Sequence, residues 1–214
     1  MRKFLPKAAI AILVLAGLSW LFLKTVEETN AEPYVIDPAE LTGWTLAVEN
    51  PELGGPAFLS LQPPVPLMAD VFRQIFQRSG VSLAGPNRAS MPVVLASEFD
   101  QALTSVLSAD ELLRLARSAG LETERFQPVC MGITRVSTGG PVVQRFFMVF
   151  ESKAFRDFRQ ELARAHQSRG GAGNFDPAAL RPIVPVASFA PDFDQWPWPL
   201  QFDQATDCAT RLQG

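Results

Sequence analysis

From Ala8 to Leu23 the chain runs sixteen residues without a charge, and the apolar stretch reaches twenty if it starts at Phe4 and Lys7 extends its stem to an interface. At about 1.5 Å per helical residue this is roughly 24 to 30 Å, the depth of a bilayer hydrocarbon core. Arg2, Lys3 and Lys7 precede the run, Lys24 closes it, and Glu27 and Glu28 follow. That order of charge predicts a cytoplasmic N-terminus and export of everything beyond. The reading is an uncleaved anchor over residues 1–24, in a bacterial inner membrane, with a periplasmic remainder. A cleaved signal peptide competes with it, because Thr29-Asn30-Ala31 offers a small-x-small site. That site lies eight residues past Leu23, and the run ends in bulky Trp20, Leu21, Phe22 and Leu23. Trp20 is a candidate interface aromatic.

The exported part has the apolar mass for a packed core: hydrophobic residues make up 47% of the chain, with 16 Phe and 4 Trp. From Thr25 onward fifteen basic residues face twenty-two acidic ones, a balance of -7. Nucleic acid is therefore excluded as a partner, since phosphate neutralisation by Lys and Arg supplies most of that affinity. His166 is the only histidine, which removes any mechanism that needs two imidazoles and any zinc site built mainly on His. It reads as a surface or cap residue in the last turn of a helix.

Cys130 and Cys208 are the two cysteines and the one intramolecular pair available; a disulfide in an oxidising compartment and two buried free thiols are both open. Neither has a CxxC partner or a neighbouring His, so redox catalysis and metal binding lack support. Gly170-Gly171-Ala172-Gly173 leaves a helix rather than opening one and is followed by no Lys-Ser/Thr, so it is not a phosphate loop. Arg73, Arg156, Arg159 and Arg164 read as solvated helix faces, with an anion cleft as the alternative. The segment Phe189 to Phe202, with Asp203 just after it, sets Asp192 and Asp194 among aromatics but lacks the Gly and terminal Glu of a calcium loop. Trp196 and Trp198 there either cap the core or form a contact surface. No catalytic, cofactor-binding or metal-ligating residue is assigned.

Residues 25–43 read as a polar linker interrupted by Pro33 and Pro38. Strands are predicted at Trp44 to Val48, Ala57 to Leu61, Pro92 to Ala96, Pro128 to Val136, Val143 to Phe150 and Ile183 to Phe189, with a last one around Cys208 to Leu212. Gly139-Gly140 reads as a hairpin turn. Helices are predicted from Pro66 to Arg78, from Ser108 to Gly120 with Ser108 and Glu111 as a capping box, and from Lys153 to Ser168. The order strand, amphipathic helix, loop, Pro, apolar strand occurs twice, once through Phe72-Arg73-Gln74 to Pro92-Val93-Val94-Leu95 and once through Phe158-Arg159-Gln160 to Pro182-Ile183-Val184-Pro185.

That duplicated layout resembles the two-histidine (2H) phosphoesterase superfamily over roughly Trp44 to Leu212. The resemblance implies an α+β fold of two similar lobes of antiparallel sheet plus helices about a pseudo-twofold axis, here residues 44–214 behind one transmembrane helix. In that family each lobe contributes a strand carrying H-x-[ST]; the histidines exchange protons with the attacking and leaving oxygens of a phosphodiester, and the hydroxyls hold the phosphate. The matching triplets here are Val93-Val94-Leu95 and Ile183-Val184-Pro185. With both imidazoles gone, acid–base contributions of roughly 10² to 10⁴ each would be absent.

The expectation is a pseudoenzyme: a non-catalytic accessory subunit that holds integral subunits of a larger membrane complex, photosynthetic or respiratory, and touches membrane lipid. The competing expectations are a membrane-tethered phosphodiesterase or other hydrolase, and a binder of a small apolar ligand between the lobes.

Overall fold

The computed structural model describes residues 12, 14–21, 24, 32–49, 56–137, 142–193 and 196–214, and the chain divides into two units, Met1–Pro33 and Tyr34–Gly214. In the first unit residues 14–21 are helical and exposed, Trp20 included. More than half of the expected anchor, and all of Thr29 to Ala31, lie outside the described residues. Among the described residues no helix is long and apolar enough to cross a membrane.

The second unit is α+β. Strands β1 (Tyr34–Val35), β5 (Gln127–Val136), β6 (Val143–Glu151), β7 (Ile183–Ser188) and β8 (Cys208–Gln213) form a mixed sheet in the order β1-β8-β5-β6-β7. Only β1–β8 is parallel. Strands β2 (Thr45–Val48), β3 (Ala57–Gln62) and β4 (Met91–Leu95) form an antiparallel sheet in that order. The helices of ten residues or more among the described residues of this unit are α1 (Val65–Ser79), α2 (Ala109–Ser118) and α3 (Lys153–Ser168).

Local chemistry accounts for the helix ends. Pro66 sits in the first turn of α1, where its missing N–H costs nothing, and Gly80, at φ 64°, donates its N–H to the Phe76 carbonyl to close the far end. Ser108 and Glu111 form the expected capping box on α2, and the Ser152 hydroxyl accepts from Phe155 N–H at the start of α3. The apolar stripe of α1 is narrow. Leu67, Val71 and Ile75, spaced by four, are fully buried, while Met68 and Phe72 are half-buried and Phe76 is exposed.

Alternation along β6 explains its unbroken apolar run. Phe146, Met148 and Phe150 enter the main core, whereas Phe147 and Val149 enter a second cluster with Cys130, Ile183 and Trp196. Phe193, Trp198, Leu200 and Phe202 from the segment between β7 and β8 pack on that second cluster. The β6–β7 part of the sheet is thus buried on both faces, by the main core on one side and by this strap on the other.

The expected linker through residue 43 gives way at its C-terminal end. Tyr34, Ile36 and Leu41 are buried, and Asp37 caps a 3-10 turn, Pro38–Leu41. Proline forbids helix interior but not extended pairing at an edge, so Pro33 and Pro38 flank a short strand. Gln74 on α1 fastens that strand: its side-chain oxygen accepts from Val35 N–H at 3.0 Å and its amide donates to Val35 O at 2.7 Å. The turn expected at Gly139-Gly140 lies outside the described residues, though the hairpin register of β5 against β6 is explicit from Gln127↔Glu151 to Val136↔Val143.

Candidate functional site

Strands β4 and β7 are the edge strands of their sheets and lie against each other. Beside them opens a cleft of about 410 Å³ lined by β-strand ends, by the loop before β4 and by the strap. Pro92 of β4 and Pro185 of β7 are among its walls. A proline within a sheet belongs on an edge, where the absent N–H leaves no ladder bond unmade. Two of them here keep the adjoining edges from fusing into one sheet and remove two backbone donors from the cleft.

Of the six residues matched to the H-x-[ST] triplets, Pro185 alone is among those lining the cleft. Val93, Val94, Leu95, Ile183 and Val184 are buried in the protein interior. The polar lining is Glu49, Asn87, Arg88 and Ser90. Glu49 Oε1 accepts from the Ser60 hydroxyl at 2.5 Å and its Oε2 from Arg88 Nη1 at 3.3 Å, so the one acid and one base among the described lining residues neutralise each other. Trp198 and Phe193 supply aromatic wall.

His166 is not a surface residue. It is 7% exposed, and its Nε2 lies 2.9 Å from Ala172 O, a place outside the lining of the cleft. The helical wheel explains the correction: residues 155, 158, 159, 162 and 166 share one face of α3, and that face is the buried one.

Arg159 is corrected for the same reason. Arg73, Arg156 and Arg164 are exposed as expected, whereas Arg159 has no exposed surface at all. Its five N–H donors meet five acceptors: Nε gives to Pro177 O, Nη1 to Val93 O and Glu98 Oε2, Nη2 to Glu98 Oε1 and Asp176 O, all between 2.7 and 3.1 Å. The guanidinium joins α3 to β4 and so ties the two sheets together. It has no donor left for an anion.

Trp196, a candidate contact aromatic, is 4% exposed and stacks on Phe193, which makes it an internal residue of the second cluster. Trp198 is half-buried and Trp20 is exposed. Asp192 is spent on structure: its Oδ2 accepts from Arg145 Nε at 2.9 Å and Nη2 at 2.5 Å, and its Oδ1 from Ser188 Oγ and Trp196 Nε1. Asp194 lies outside the described residues, and among those described no group of acids, Cys and His could hold a metal ion. Cys130 and Cys208 are disulfide-bonded, with Cα atoms 5.6 Å apart, across the β5–β8 pair.

Sequence reasoning missed both buried ion pairs, because the acids stand 61 and 47 residues from their arginines. A signal existed for one of them: Arg159 falls beside Phe155, Phe158 and Leu162 on the buried stripe of its helix. No family model, curated protein or solved structure matches the chain.

Proposed function

We propose that this chain is a membrane-anchored, non-catalytic relative of the 2H phosphoesterases that serves as an accessory subunit of a larger membrane complex. Two strand–helix–strand units, β3-α1-β4 and β6-α3-β7, support the relationship, and an approximate twofold axis would exchange them. The observation that carries the loss of catalysis is the lining of the cleft. Proline rings stand beside the strands where proton-exchanging side chains belong, and the one imidazole is bonded elsewhere. Proton transfer needs a titratable group within hydrogen-bond reach of substrate; among the described residues Glu49 is the one carboxylate lining the cleft, and it is held by Ser60 and Arg88.

Contact is the role left to such a domain. The apolar N-terminal run would pack against integral subunits, with residues 34–214 on the periplasmic surface. Mild detergent extraction followed by mass spectrometry of co-migrating chains tests this reading. Integral membrane subunits should travel with the protein, and replacing residues 1–24 with an unrelated transmembrane helix should release them. Isolation as a lone monomer under several mild conditions, or turnover of 2′,3′-cyclic nucleotides that His166→Ala abolishes, would overturn it.

A further inference from the structure

The cleft beside β4 and β7 has a chemistry that selects among ligands, and we propose that it binds a neutral saccharide. Charge is the first filter. Glu49 and Arg88 are paired at 3.3 Å, so among the described residues the lining presents no net charge to a phosphate, a carboxylate ligand or a metal cation. Backbone donors are the second filter. Anion sites gather N–H groups at nests and helix N-termini, and Pro92 and Pro185 have none to give.

What remains is a wall of proline and aromatic surface beside planar polar groups. Trp198 and Phe193 border the cleft with aromatic surface, the kind of surface that the C–H face of a pyranose covers, Phe193 being backed by Trp196. The Asn87 amide and the Ser90 hydroxyl can each exchange hydrogen bonds with ring hydroxyls. A purely apolar ligand would leave the Asn87 amide and the Ser90 hydroxyl facing hydrocarbon, at about 1 to 3 kcal/mol for each one desolvated. A cleft of about 410 Å³ is within the range of small-ligand sites and holds one or two sugar rings. The strap that carries Trp198 and Phe193 is anchored by the Asp192 network, so the aromatic wall stands in place before any ligand arrives.

The test is isothermal titration of the full-length protein, solubilised in an amine-oxide detergent because glycosidic detergents would compete, with chitobiose, cellobiose and maltose as probes. At least one should bind saturably below about 10 mM, and Asn87→Ala should weaken it at least about tenfold. Asn87 is exposed, so this variant keeps its fold; Trp198→Phe, which retains a flat face, should bind better than Trp198→Leu. Absence of binding for all three sugars overturns the proposal. So does binding that Asn87→Ala leaves unchanged, or a preference for inorganic phosphate or a fatty acid over every sugar. Because the co-purification of membrane subunits does not depend on Asn87, this proposal and the subunit reading fail separately.

Discussion

Arg159 shows how far one side chain can depart from the ordinary behaviour of its type. A fully buried guanidinium is tolerated only when its charge is matched and every donor is used, and here Glu98 and three backbone carbonyls do both. Arg159→Ala leaves Glu98 without its cation and three carbonyls without donors, so it should lower unfolding free energy by about 3 to 5 kcal/mol in urea titrations. Arg73, the equivalent residue of the first Phe-Arg-Gln, is exposed, and Arg73→Ala should fall within about 0.5 kcal/mol of the parent. Gly132 is the opposite case, a residue needed for what it lacks. It pairs with Phe147 across β5 and β6, and a Cβ there would stand well inside the Phe147 ring. Gly132→Ala should therefore cost about 1 to 3 kcal/mol, and the loss should shrink when Phe147 is cut to Leu in the same chain.

At the scale of elements, the strap between β7 and β8 does work that no helix or strand does. It buries the second face of the β6–β7 part of the larger sheet and is fixed at Asp192 near one end and at the Cys130–Cys208 bond at the other. Burial pushes the Asp192 carboxyl up, but the hydrogen bonds from Arg145, Ser188 and Trp196, with the charge of Arg145, more than reverse this and hold it below its ordinary value. A carboxyl whose folded pKa is depressed contributes stability that is whole above its unfolded value of about 3.9 and is lost as pH falls through the lower folded value. Acid titration should accordingly loosen the strap first, with Trp196 near-ultraviolet dichroism fading before far-ultraviolet signal. Asp192→Asn should remove that acid limb; a parent and variant with superimposable acid transitions would contradict the assignment. Edges are handled by side chains in the same economical way. Glu122 accepts from Leu46 N–H on β2 and Gln74 occupies Val35 on β1, so two outer edges offer little to a foreign strand.

For the molecule as a whole, the two sheets are joined by the Arg159 network and by one main core that draws residues from both. Unfolding of the folded unit should follow a single transition in which tryptophan fluorescence and far-ultraviolet dichroism coincide. Arg159→Ala should separate those curves, since Trp196 and Trp198 report on the strap side and much of the helix signal comes from the other face.

Much of this architecture was legible residue by residue. Ser108-x-x-Glu111 marked α2, Pro66 and Gly80 bracketed α1, and α3 runs from Lys153 to Ser168 as its periodicity required. These signals are local, written in caps and spacing that act within a few residues, so the chain itself determined its elements, their order and the absence of paired imidazoles. The burial of Arg159 and His166, the placement of Trp196 inside, the pairing of Tyr34 with Leu212 and the cleft beside β4 and β7 depend on which distant surfaces meet. Those were decided only by tertiary structure, because burial and charge compensation are properties of neighbours brought together by folding.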